Sequence, residues 1–162
     1  MAKLEVLTAP HPILNQVAQP VAAVDDNVRK IMDDMLETMK STIGVGIAAN
    51  QVGILQRIIV LDLNNRERTD SEKDISYPLF MANPEITEFS DEHVEKLEGC
   101  LSITMPRTLV SRSDFIKVKF IDYNNKKQEI DASGWFARAV QHEVNHLDGI
   151  LITNILGESL DS

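Results

Sequence analysis

The chain is poor in cysteine, in positive charge and in long apolar runs, and each shortage excludes something. With Cys100 as its one cysteine, no internal disulfide can form. A reducing, cytoplasmic setting is the expectation that follows. Lysine and arginine total 16 against 25 acidic residues, for a formal net charge of −9. Binding a phosphate backbone or an anionic bilayer needs clustered positive charge, so neither DNA nor a membrane is an expected partner. The longest purely aliphatic run, Ile58-Ile59-Val60-Leu61, is far too short to cross a bilayer. Residues Met1 to Val6 lack the basic-then-apolar pattern of a signal peptide. What remains is a chain of 162 residues, 43% hydrophobic, suited to a single domain over 1–162 with a sizeable core.

The first stretch, through Pro10, Pro12 and Pro20, reads as extended or turning chain. From Asp25 to about Thr42 the apolar positions Val28, Ile31, Met32, Met35, Leu36 and Met39 recur at three and four. Asp25 or Asp26 can cap that start, which predicts an amphipathic helix. Gly44 to Gly53 is too rich in glycine and alanine for an ordinary core strand, and Gln56 to Leu63 is a β-branched strand. Asn64 to Tyr77 is polar enough for a surface loop. Further strands are expected near 79–89, 93–97, 108–112, 115–123 and 127–132, with Asn124-Asn125 as a hairpin turn. A last helix begins near Ser133, and Gly149 stands where a left-handed cap would end it. Strands grouped between helices favour an α+β fold. The expected form is antiparallel or mixed strands wrapped around a central C-terminal helix, with an amphipathic helix at the N-terminal end.

That last helix carries His142-Glu143-Val144-Asn145-His146, the pattern HExxH. Two histidines four apart on a helix point the same way and can share one metal ion, while Glu143 can hold a water against it. A charged surface helix could hold the same letters with no metal at all. The usual HExxH peptidases take a third ligand downstream, as a histidine or a glutamate. Here no histidine follows His146, and the chain stops soon after Glu158. The third ligand is therefore expected upstream. His11 stands between two prolines, and His93 among acidic residues that suit solvent. Cys100 follows Gly99, which permits a sharp bend at a strand end. A lone cysteine is more often a small buried hydrophobe, yet its thiolate suits a two-histidine site that needs completing. One cysteine, two histidines and an open fourth position describe a catalytic metal site.

Three separated segments, Gly44-Val45-Gly46-Ile47-Ala48-Ala49-Asn50-Gln51, Glu98-Gly99-Cys100-Leu101-Ser102 and Gln141-His142-Glu143-Val144-Asn145-His146-Leu147-Asp148-Gly149, resemble the three motifs of the peptide deformylase family. Their order and separations are similar, and Leu7 to Leu14 also looks like the family's start. The resemblance implies that Cys100, His142 and His146 are metal ligands and Glu143 the catalytic glutamate. It implies that the Gln51 amide and the Leu101 N–H donate to the formyl oxygen, while Val45, Gly46 and Gly99 hold the substrate backbone in a strand-like pose. The implied substrate is the N-formylmethionine at the start of new polypeptides, whose formyl group is released as formate. The implied metal is ferrous iron (Fe2+), with Zn2+, Ni2+ or Co2+ able to take its place; the ligand types alone fit zinc equally. Phe136 and Ala139 are candidate walls for a methionine pocket and equally candidates for the core.

Two positions depart from the family's pattern. Asn145 stands where aspartate is common, and Thr104 where proline is common. An arginine matching Arg112 needs an anionic partner, and Glu98 is the expected one. The tail, Gly157 to Ser162, is short and acidic, so any ribosome contact would have to use another surface or be weak. Two other classes of function compete. An HExxH endopeptidase is opposed by the missing downstream ligand. A silent binder of formylated amino termini would be expected to lose Glu143, Gln51 or a ligand, and all are present.

Overall fold

The computed structural model describes residues 3–64, 72–73, 75–102 and 107–153. Helix α1 spans Asp26–Lys40 and helix α2 spans Gly134–Leu147. The strands are β1 Gly46–Ala48, β2 Ile58–Leu61, β3 Leu79–Phe89, β4 His93–Glu98, β5 Thr108–Ser113, β6 Phe115–Ile121 and β7 Lys127–Ser133. Five of them form one sheet in the order β1-β2-β3-β6-β7, and β4 and β5 form a separate two-stranded sheet. All the pairings are antiparallel. The result is an α+β fold with antiparallel sheets and a C-terminal helix.

Alternation along β2 divides the core. Successive strand residues point to opposite faces. Ile59 and Leu61 pack with Phe136, Ala137, Val140, Val144 and Leu147 of α2. Ile58 and Val60 pack instead with Met32, Met35, Leu36 and Met39 of α1. The five-stranded sheet thus lies between the two helices, and β2 is buried at all four positions. Each such side chain contributes roughly 1.5–3 kcal/mol of transfer free energy. That burial fixes where α2, and everything on it, can sit.

The helix ends follow local chemistry. The Asp25 carboxylate accepts from Val28 N–H at 2.9 Å and caps α1, a contact worth about 1 kcal/mol. At the end of α2, Arg57 donates to the Leu147 carbonyl at 3.1 Å and to Asp148 at 2.8 Å. Gly149 has φ 74, and a Cβ there would stand 2.7 Å from the Asn15 carbonyl oxygen. Only glycine fits both conditions.

Some boundaries differ from those the sequence suggests. The Gly44 to Gly53 stretch does contain a strand, the fully buried β1, followed by a 3-10 turn over Ala49–Val52. Small residues let it lie tight against α2. The proline-rich start contains a 3-10 turn at Pro12–Asn15. Thr104, the tail from 154 onward and most of the expected 64–77 loop lie outside the described residues. Among the described residues, no helix is long and apolar enough to cross a membrane.

Candidate active site

Three elements converge on one cleft of about 250 Å³. Helix α2 presents His142 and Glu143, with His146 buried one turn further on and outside the cleft lining; the turn after β4 presents Cys100; β1 and the 3-10 turn present Gly46 and Gln51. One donor atom from each of Cys100, His142 and His146 lies within 4.8 Å of the others, and Cys100 Sγ is 3.2 Å from His146 Nε2. Cys100 is half-buried and His146 fully buried. A soft sulfur with two imidazoles, gathered at this spacing, fits one divalent ion of the zinc or ferrous type. His11 and His93 are both exposed and outside the cluster.

The rings are oriented from behind. Glu98 is buried and receives four donors. Its Oε1 lies 2.9 Å from His142 Nδ1 and accepts from Arg112 Nη2 at 3.0 Å. Its Oε2 accepts from Arg112 Nε at 2.7 Å and from Arg138 Nη1. Burial alone would raise the Glu98 pKa, but the bonds from His142 and Arg112 outweigh it and hold it down at about 2. With Nδ1 committed to Glu98, the far nitrogen of His142 is left for the cleft. Arg112 also donates from Nη1 to Asn145 Oδ1 at 2.7 Å. Asparagine therefore keeps the hydrogen bond and gives up only the charge, while Glu98 supplies the anion.

Burial opposes charge on His142, yet Cys100 and Glu98 lift its pKa to about 10 in the metal-free site. Burial, then the like charges of His142 and Arg112, push His146 the other way. Glu143 is raised to about 7, chiefly by burial, with His142 and Arg112 opposing. Its Oε1 is buried and has no partner among the described residues. Its Oε2 lies 2.6 Å from where a Cβ on Gly46 would be. Glycine at 46 is what makes room for that carboxylate.

Gln51 is 1% exposed and its two ends are sorted by their neighbours. The oxygen accepts from Ala48 N–H at 2.9 Å, so it serves the turn. The nitrogen donates to Ser102 Oγ at 3.1 Å and lies 3.8 Å from Cys100 Sγ, facing the cleft. The opening segment ties both flanks together. Leu7 N–H donates to the Gln51 carbonyl at 2.7 Å and Ala9 N–H to the Ser102 carbonyl at 2.8 Å. Val45, Gly46, Gly99 and Leu101 all line the cleft.

The two helix residues that suited either the pocket wall or the core divide between those roles. Phe136 is a core residue at 0% exposure, packed under the sheet, and does not line the cleft; Ala139 does. Residues three apart on a helix can share a face, but the bulkier one went inward with Tyr77, their ring centroids 6.3 Å apart. Sequence reasoning also passed over Ser102, Trp135 and Arg138. Arg138 had a signal: it stands four residues before His142, on the same face of a largely apolar helix.

A family model described as polypeptide deformylase matches residues 3–160. A peptide deformylase of Orientia tsutsugamushi (strain Ikeda) is 48% identical over 159 residues, covering 96% of this chain and 88% of that protein. The crystal structure of peptide deformylase from Ehrlichia chaffeensis superposes with a TM-score of 0.87 at 35% identity, covering 96% of this chain and 88% of that one. A second structure from that organism, in complex with actinonin, gives 0.85 at 38% identity, covering 93% and 87%.

Proposed function

The chain belongs to the polypeptide deformylase family, and from that membership we propose a residue-level account of how it removes the N-formyl group from new polypeptides. The whole of 1–162 serves as one catalytic domain. Cys100, His142 and His146 hold a single divalent ion, Fe2+ in the cell, with Zn2+, Ni2+ or Co2+ as substitutes. When bound, that ion supplies Lewis acidity toward the formyl oxygen and the attacking water. The gathering of three ligand atoms within 4.8 Å, beside a glutamate with an unpartnered oxygen, is the observation that carries this account.

A formamide is a stable amide, so its hydrolysis needs a base, a proton donor and a place for negative charge. Glu143 holds the attacking water at its free Oε1 and takes one proton. Burial raises the Glu143 pKa above the ordinary carboxylate value, which suits a group that takes a proton and then gives it up to the departing amine nitrogen. The C–N bond breaks, leaving formate and a free amino terminus. As the carbon becomes tetrahedral, negative charge collects on its oxygen. The Gln51 amide, held nitrogen-first by Ala48, donates there, and so does the Leu101 N–H. Val45 and Gly46 on one rim and Gly99 on the other hold the substrate backbone extended. Nascent formylmethionyl chains are the partners; any ribosome contact is transient and leaves the cleft open.

Formate release from formyl-Met-Ala-Ser by protein prepared anaerobically with iron tests the account, together with metal analysis of the same preparation. Stoichiometric metal on Cys100, His142 and His146 without formate release would defeat it.

A further inference from the structure

Arg138 is a buried cation that the chemistry above does not use. Its side chain is 5% exposed, on α2 one turn before His142. Nη1 donates to Glu98 Oε2 and to the Val110 carbonyl at 2.9 Å, and Nη2 donates to the Val94 carbonyl. Val94 belongs to β4 and Val110 to β5, so one planar group grips both strands of the two-stranded sheet. The Trp135 ring centroid, 5.9 Å from Cζ, adds a cation–π restraint. Strand β4 ends at Glu98, and Cys100 follows two residues later. The guanidinium therefore joins the segment that carries the sulfur to the helix that carries both imidazoles.

We infer that Arg138 is a positioning residue for the metal ligands: it clamps the β4–β5 hairpin to α2, holding Cys100 at binding distance from the two histidines before any ion arrives. It acts at one remove, through Glu98 and two backbone carbonyls. Charge balance alone does not explain it. Arg112 already neutralises Glu98, and a bare ammonium would match one charge while reaching fewer acceptors. Two carbonyls on different strands call for a fork.

The inference rests on Cys100, His142 and His146 forming a metal site, so the unsubstituted protein is titrated first. Zn2+ affinity is read by competition with a chromophoric chelator for the parent, Arg138→Lys and Arg138→Gln. Unfolding midpoints of the metal-free forms and KM of the loaded enzymes are measured alongside. A conservative lysine should weaken zinc about tenfold to a hundredfold, while KM moves less than about threefold. Zinc affinity within about twofold of the parent in a folded variant overturns the inference. Arg138 already lines the cleft, so a raised KM at unchanged affinity also overturns the inference, since its role would then be contact with substrate. Amide exchange in the metal-free parent needs no variant: β4 and β5 should already be protected before zinc is added, and free exchange there overturns the clamp. A parent that binds no zinc overturns the site and the inference together.

Discussion

Glu143 and Glu98 are two carboxylates 45 residues apart in the chain that the fold drives to opposite protonation behaviour. Glu143 is buried with one oxygen unpartnered, so it holds a proton up to about pH 7 in the metal-free site. A cation beside it lowers that value. Acting as a base, it must be ionised, so kcat/KM should rise as pH climbs through its pKa. A profile flat or falling from about pH 4.5 to 9 would remove it from that role. Glu143→Gln should keep the shape of the site and lose about a hundredfold or more in kcat. Glu98 is the reverse case, ionised because His142, Arg112 and Arg138 surround it. Glu98→Gln leaves two buried guanidinium groups short of their anion, so a loss of about 3–5 kcal/mol is expected in urea unfolding. Unchanged stability and unchanged metal retention would mean that the pairing carries nothing.

At the scale of elements, most of the architecture could be read from periodicity. Val28, Met32, Met35 and Met39 announced α1, and the β-branched run at Ile58 to Leu61 announced a strand, which the structure buries on both sides. The cluster of Cys100, His142 and His146 that is proposed to hold the metal was legible because HExxH needs a third donor and few candidates existed. What sequence could not convey was direction. Nothing local says that Phe136 turns inward while Ala139 faces the cleft, or that Arg138 reaches across to two strands. Those facts depend on how helix and hairpin meet, which is decided by packing far from either residue. The β1 stretch was hidden for another reason: its glycines and alanines are chosen for close approach to Glu143 and α2, and that choice masks strand propensity. The end of α2 offers a test at this scale. Gly149→Ala must take up a left-handed backbone and meet the Asn15 carbonyl, so stability should fall by about 1–2 kcal/mol or more. Thermal unfolding reads it; an unchanged midpoint would mean the loop at Asn15 yields freely.

For the whole molecule, ion binding and folding share a free-energy balance. A ligand that binds only the native state at a hundred times its dissociation constant adds about 2.7 kcal/mol. Zinc should therefore raise the melting temperature, and chelation should reverse it. His142 is protonated up to about pH 10 without metal, so binding displaces a proton and the zinc-induced stabilisation should grow from pH 6 to 8. A stabilisation independent of pH would argue against His142 as a ligand. In the metal-free protein, Glu98 contributes stability above its ordinary pKa of 4.5, and that contribution is lost as pH falls toward 2. The sulfur and the imidazoles arrive on different supports: Cys100 after a strand of the two-stranded sheet, the histidines on a helix packed under the five-stranded one. A molecule in which the hairpin has swung away would keep both helices and the large sheet, and circular dichroism would scarcely register the change. Its Cys100 would meanwhile lose its neighbours and become open to alkylating reagents. The rate of thiol labelling then reports assembly of the catalytic centre more faithfully than any measure of secondary structure.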